Sequence, residues 1–166
     1  MDAFIEPLQG MTEFREIRTK LHAQPENGVL ELSGCIDSQK LHMIHCLSGK
    51  DYSRLIVTFS EQRAREFCGE YRFFDKYVRY FPPKDILFYQ SDIRGNELAR
   101  ERLEVLKLLS GRQNCTVVTT FDALMNRMAE PAGFLSRIIT LEAGASMQMD
   151  DMLKQLAQMG YERNYQ

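Results

Sequence analysis

No stretch of this 166-residue chain reaches the roughly 18 consecutive apolar residues that a membrane-spanning helix needs, so no membrane is expected among its partners. The opening residues, Met1 to Glu6, lack the basic and apolar regions of a signal peptide, which makes a reducing cytoplasm the expected compartment. Basic charge is not in excess. Twenty-one Lys and Arg face 23 Asp and Glu, for a net charge of −2, and the pI is near 6.0. A global field that would draw nucleic acid is thereby excluded, although a local basic patch is not. None of the four cysteines (Cys35, Cys46, Cys68 and Cys115) forms a C-x-x-C pair. Their mostly apolar or helical surroundings mark them as reduced, largely buried thiols. Internal repeats and low-complexity segments are absent as well.

What is present suits a packed core. Hydrophobic residues make up 44% of the chain, and its length fits one domain, or one and part of another. Apolar and helical patterns alternate. Residues 13–23 read as an amphipathic helix with Thr12 as its N-cap, ended by 25–28. Residues 29–32 read as a first strand and 38–47 as a helix, with a loop over 48–51. Residues 54–59 form the near-continuous apolar run of a buried parallel strand. Ser60 caps a helix expected to reach about Phe74. Strands follow at 77–81 and 86–89, the first stopped by Pro82 and Pro83. A long helix is expected from Gly95 or Asn96 to Leu109, closed by Ser110 and Gly111. Then come a strand at 115–120, a short helix at 121–128, a break at 131–133, a strand at 137–141, a helix at 150–159 and the beginning of a strand at Tyr161. Strands spaced by helices imply βαβ units, a mostly parallel sheet and helices on both of its faces.

One turn carries a candidate chemistry. A Walker A phosphate loop, G-x-x-x-x-G-K-[ST], sits between a strand and a helix, and here Gly34 and Lys40 take the places of its first Gly and its Lys. Gln39 stands where the second Gly lets backbone amides close on phosphate. Leu41 stands where a Ser/Thr hydroxyl ligates Mg²⁺. The segment therefore has the outline of a nucleotide site without its working parts. Two other readings exist. In one, an atypical P-loop NTPase uses Gly34, Ser38 and Lys40 on phosphate, with Ser38 supplying the missing hydroxyl from the other side of the Lys. In the other, Gly34 is merely a turn glycine.

Other features favour plain structure. His42, His45 and Cys46 lie together on a helix, and His42 and His45 have the i, i+3 spacing that metal sites use. No further ligand follows at a recognisable spacing, so they read as helix-surface histidines. Nothing marks an activated Cys/His pair. Arg94, Arg100, Arg102 and Lys107 are interleaved with Glu97, Glu101 and Glu104, which suggests a solvated, salt-bridged face; Arg63, Arg65 and Arg72 read alike. Asp122 follows an apolar strand as a Walker B acid would, but a cap on the next helix accounts for it. Met125, Met128, Met147, Met149, Met152 and Met159 read as flexible core filler, with a docking surface as the minority reading.

Several stretches, in order, resemble the N-terminal part of a bacterial transcription-repair coupling factor (Mfd). They are Arg54-Leu-Ile-Val-Thr-Phe-Ser-Glu-Gln-Arg-Ala-Arg-Glu, Phe81-Pro-Pro-Lys-Asp-Ile-Leu-Phe-Tyr-Gln-Ser-Asp-Ile-Arg-Gly-Asn, Glu101-Arg-Leu-Glu-Val-Leu, Thr116-Val-Val-Thr-Thr-Phe-Asp-Ala-Leu-Met, and 147–163 with its ending Gln-Met-Gly-Tyr-Glu-Arg. The resemblance covers roughly residues 20–166.

The resemblance implies a fold like that of the excision-repair protein UvrB: α/β, P-loop NTPase-like, with a mostly parallel sheet and a degenerate nucleotide loop at Gly34, Ser38, Gln39, Lys40 and Leu41. It implies a domain over 1–137 and, over 138–166, the first part of a small inserted domain that docks UvrA. Most UvrA contacts would lie beyond Gln166. No catalysis, cofactor or metal is expected of this segment. In the full protein, motor domains would use ATP and Mg²⁺ to translocate on DNA, another module would bind RNA polymerase, and this region would touch the motor. UvrB carries a long tyrosine-rich hairpin that would fall after Phe81. Only about a dozen residues lie there, with Phe88 and Tyr89 as aromatics, so probing of damaged DNA by this segment is not expected.

Overall fold

Five successive β-branched residues, Thr116–Thr120, form the most buried strand of the protein, with every side chain enclosed. In the computed structural model, residues 6–23, 29–48, 52–84, 92–111, 113–128, 130–144, 146–162 and 164 are described, with 22, 92–96, 131 and 132 described by backbone alone. The elements are α1 (Glu6–Gln9), α2 (Thr12–Ala23), α3 (Asp37–Leu47), β1 (Arg54–Thr58), α4 (Glu61–Tyr71), β2 (Val78–Phe81), α5 (Asp92–Ser110), β3 (Thr116–Thr120), α6 (Phe121–Leu124), α7 (Pro131–Leu135) and α8 (Met149–Gln158).

Three parallel strands pair in the order β1-β3-β2. The central position of β3 explains its complete burial, because both of its faces and both of its edges are covered. In register, Ile56, Val118 and Tyr80 lie in one row, and Val57, Thr119 and Phe81 in the next. Since side chains alternate between faces, the two rows belong to opposite sides of the sheet. The Ile56 side packs on Leu41 of α3 and on Ala64, Phe67, Cys68 and Tyr71 of α4. The other side joins Phe81 and Val117 to Val105 of α5. The α/β class, the parallel sheet and the helices on both faces are therefore present, around a small three-stranded sheet.

Local signals set several boundaries. The Ser60 hydroxyl accepts from the Arg63 amide at 3.2 Å and caps α4 as expected. This helix stops at Tyr71, short of Phe74, in turns at 72–74 and 76–77. The long helix begins at Asp92, ahead of the expected Gly95 or Asn96. Thr12 is the first residue of α2 and not a residue ahead of it. The cap of α6 is Thr120, whose hydroxyl accepts from the Ala123 amide at 3.4 Å. Asp122 is a first-turn acid of that helix and not its cap.

Other expectations are corrected. Residues 29–32 add no strand to the described sheet; Val29 is 89% exposed and Leu32 is also exposed. An apolar run this short cannot be told from a loop by periodicity alone. Residues 137–141 and Tyr161 are likewise not strands. The expected break at 131–133 is the start of α7, because proline fits the first position of a helix, where its missing N–H costs nothing. The expected strand at 86–89, with Phe88 and Tyr89, lies outside the described residues, as do 25–28 and 49–51.

The chain divides into two units, Met1–Asn126 and Arg127–Gln166. Both cores above belong to the first. In the second, no described residue is buried. Met147 and Met149 are exposed, and Met125 and Met128 near the junction are exposed too. Met152 and Met159 of α8 are half-buried, so among the described residues none of the six methionines is buried in a core.

Candidate functional site at the start of α3

The segment leading into α3 gathers most of the candidate residues. Gly34 has a φ of +80°, a conformation that glycine adopts without strain, and the space a Cβ would fill is open. Ile36 precedes the helix in extended conformation but has no side-chain acceptor for the helix amides. Gln39 compensates in part, since its Oε1 accepts from the Ile36 amide at 3.1 Å. This is the reciprocal half of a capping box.

Asp37 occupies the first turn. Its Oδ1 lies 3.2 Å from Lys40 Nζ and its Oδ2 lies 3.0 Å from Arg63 Nη2 of α4. Arg63 also pairs with Glu66 at 3.3 Å. The hydrogen bond from Lys40, and then the charge of Arg63, hold the Asp37 carboxyl below its ordinary pKa. The N-terminus of a helix favours an anion, because its amides are unpaired and its dipole end is positive. Here the first turn carries the chain's own carboxylate, Asp37, which pairs with Lys40 and Arg63.

The remaining candidates separate. Ser38 is exposed on the same segment. Leu41 turns the other way, is 5% exposed, and belongs to the core with Ala64, Phe67 and Val118. Gly34, Ser38, Gln39 and Lys40 are thus all exposed, whereas Leu41 is buried. A magnesium ligand at residue 41 would have to come from inside the core.

A second polar arrangement, not expressed in any sequence spacing, lies at the N-terminal ends of the strands. Arg54 Nη1 meets Asp75 Oδ2 at 3.5 Å and donates to Thr116 Oγ1 at 3.2 Å. Thr116 Oγ1 donates to Asp75 Oδ2 at 2.6 Å, and the Tyr77 amide donates to Asp75 Oδ1 at 2.8 Å. Arg54 also donates to the hydroxyl and the carbonyl of Ser48. An open hollow of about 480 Å³, lined by His45, Arg54, Phe74, Lys76 and Asn114 among others, lies at this end. Ligands of open parallel sheets bind at the opposite, carboxyl end of the strands. The groups here satisfy one another, so the arrangement reads as a polar clasp tying β1, β3 and the turn before β2.

Residues read as surface features prove more enclosed. His45 is buried, with its ring 5.1 Å from that of Phe74 and 6.4 Å from that of Tyr71, while His42 stacks on Phe74 at 5.9 Å. Among the described residues, no three His, Cys, Asp or Glu side chains come together to hold a metal. Arg102, expected on a solvated face, is 8% exposed. It donates to the Pro82 carbonyl and lies 4.1 Å above the Phe81 ring. Its neighbours keep the expected character: Arg100 pairs with Glu104, and Arg65 with Glu101, each at 3.4 Å. The side chain of Arg94 lies outside the described residues. Burial raises the thiol pKa values of Cys46, Cys68 and Cys115, which keeps them protonated and inert. No described helix is long and apolar enough to cross a membrane.

Comparison with known proteins gives a consistent likeness. The chain is similar to the UvrABC system protein B of Metamycoplasma arthritidis, 27% identical over 118 residues, which is 71% of this chain and 18% of that protein. The protein of the same name from Fervidobacterium nodosum is 26% identical over 117 residues, 70% of this chain and 17% of the relative. That of Mycoplasma mycoides subsp. mycoides SC is 32% identical over 114 residues, 68% and 16% respectively. The chain spans less than a fifth of the length of these curated relatives. No family model matches it, and no solved structure matches it. The chain therefore carries a UvrB-like region.

Proposed function

We propose that this chain is a non-catalytic, UvrB-like module of nucleotide excision repair, belonging to the N-terminal region of a transcription-repair coupling factor. In the full protein it would help to recruit UvrA to stalled RNA polymerase, while motor domains elsewhere consume ATP and move on DNA. The likeness to UvrABC system protein B supports the repair setting. The order of the sequence stretches named above supports the coupling factor in particular.

The observation that carries the non-catalytic reading is the state of the α3 segment. Lys40 is paired with Asp37, Gln39 occupies the Ile36 amide, and Leu41 is part of the core. Gln39 and Leu41 each lack one requirement of a phosphate loop, an unobstructed turn and a hydroxyl for Mg²⁺, while Lys40 rests in an exposed pair with Asp37. No observation favours the NTPase alternative over this reading.

The experiment is capture of purified UvrA by the protein in its natural full-length context, with the UvrB-like region present and then deleted. Retention of UvrA that is lost on deletion is expected. Equal retention by both forms would contradict the proposed role.

A further inference from the structure

The turn between α4 and β2 carries cations that find no carboxylate. In the run Arg72-Phe-Phe-Asp-Lys-Tyr-Val-Arg79 only Asp75 enters an ion pair, with Arg54. Among the described residues no carboxylate pairs with Arg72, Lys76 or Arg79. Arg72 thus departs from Arg63 and Arg65, with which its sequence context groups it and which do pair. Arg79 is half-buried and held in place, since its Nη1 donates to the Lys76 carbonyl at 3.0 Å and to the Val78 carbonyl at 2.8 Å. Its Nε and Nη2 have no acceptor among the described residues, so one edge of the guanidinium fork is left for an external partner. Arg72, Lys76 and Arg79 line one open hollow of about 440 Å³ together with Tyr80, Glu101 and Glu104. The lining comes wholly from 61–84 and 97–111, which are described without interruption. Its two glutamates are already engaged, Glu101 by Arg65 and Glu104 by Arg100, which leaves a surplus of positive charge. Burial raises the Cys68 thiol, and the charges of Arg72 and Arg79 both oppose that rise, so the two guanidiniums lie near the same sulfur. Apolar rings stand beside these cations. Phe73 is 67% exposed and Tyr77 38%, with Lys76 Nζ 5.0 Å from the Tyr77 ring centre.

We propose that this hollow docks an acidic peptide segment of a partner protein. One carboxylate of the segment sits bidentate on Nε and Nη2 of Arg79, further carboxylates meet Arg72 and Lys76, and an apolar side chain rests on Phe73 or Tyr77. The planar fork of an arginine matches a carboxylate with two parallel bonds. In a chain of net charge −2 these cations are a local field without a global one. An acidic peptide fits that field better than a nucleic-acid strand does. Glu101 and Glu104 form one wall of the hollow, and a phosphate backbone, charged at every unit, would run against them. A peptide places its carboxylates singly and supplies apolar side chains between them.

Fluorescence anisotropy of a labelled peptide of alternating Glu and Leu, titrated with the full 166-residue chain, tests this. A peptide of alternating Gln and Leu and an oligodeoxythymidine of equal charge serve as comparisons. The acidic peptide is expected to bind saturably and less tightly as salt is added. The uncharged peptide is expected not to bind, and the oligonucleotide to bind more weakly. Arg79→Gln is expected to weaken binding about tenfold or more, as loss of a charge-assisted bidentate contact does. Lys76→Gln leaves the backbone contacts of Arg79 intact and is expected to weaken binding as well. Lys154→Gln changes the net charge equally but lies on α8, and is expected to bind like the parent. Far-ultraviolet circular dichroism matching the parent shows that each variant is folded. Absence of saturable binding overturns the proposal. So do unchanged binding in folded Lys76→Gln and Arg79→Gln, equal weakening by Lys154→Gln, and tighter binding of the oligonucleotide.

Discussion

The ammonium of Lys40 lies 3.2 Å from the carboxylate of Asp37, three residues earlier on the same helix. This pair places a carboxylate in the first turn of α3, where the helix dipole favours negative charge. It also makes the local electrostatics measurable. The folded Asp37 pKa is depressed, chiefly by the Lys40 hydrogen bond and then by Arg63. Asp37 therefore stabilises the fold above the pKa of an unfolded aspartate, and that contribution is lost as pH falls through the lower, folded value. In Lys40→Ala the Asp37 carboxyl is expected to titrate closer to an ordinary aspartate, as read by side-chain carboxyl chemical shifts. Because both groups are exposed, added salt is expected to shrink the difference.

Writing the Walker A residues into this segment is not expected to create a site. Leu41 is buried among Ala64, Phe67 and Val118, so Leu41→Ser removes core volume and buries a hydroxyl. The expected loss in urea unfolding is about 2–5 kcal/mol. Combined with Gln39→Gly, which also removes the bond to the Ile36 amide, the variant is expected to be less stable still. Unchanged stability in Leu41→Ser would contradict the core placement of this residue.

Much of this fold is legible in the sequence. The apolar run at β1 and the β-branched run at β3 both mark strands, and Ser60 announces α4 by its own hydroxyl. β1, however, is half-buried and not the buried strand its run suggests, because one of its faces is exposed at Leu55 and Val57. The weaker segments were ambiguous for physical reasons. Residues 29–32 are as apolar as a strand, but a strand also needs a neighbour. Pro131 can break a helix or begin one. The pair Asp37–Lys40 could have been found from its i, i+3 spacing at a helix start. The clasp of Arg54, Asp75 and Thr116 could not, because its members lie 21, 41 and 62 residues apart. The burial of Arg102 was hidden in the same way: only the packing of α5 on β2 turns that one arginine of a charged stretch inward.

The clasp is expected to be a major source of stability in the first unit. Arg54 and Asp75 side chains are only 12% and 15% exposed. Asp75→Ala leaves the guanidinium without its carboxylate, at an expected cost of about 3–5 kcal/mol. Thr116→Val deletes a donor to Asp75 and an acceptor for Arg54, at about 1–3 kcal/mol. The two effects are expected to be non-additive in a double-mutant cycle, because the groups share partners. Additive losses would mean that they act independently.

Tyr80 gives an alkaline signature. Burial pushes its phenol up to about 12, Glu61 and Glu101 add to the shift, and Arg65, whose guanidinium lies 4.5 Å above the ring, opposes it. The folded state therefore holds the phenolic proton more tightly than the unfolded state. Its contribution to stability is present below pH 10, the ordinary tyrosine value, and is lost as pH rises through about 12. Burial raises the Tyr71 phenol as well, so ultraviolet titration is expected to show one late-ionising tyrosine fewer in Tyr80→Phe than in the parent.

The most direct measurement is calorimetric titration of the chain with ATP and ADP in the presence of Mg²⁺, alongside Lys40→Ala. The proposed reading of this segment as a phosphate loop without its working residues predicts no saturable binding into the millimolar range for either protein. Saturable, Mg²⁺-dependent binding that disappears in Lys40→Ala would contradict it and make this a nucleotide-responsive domain.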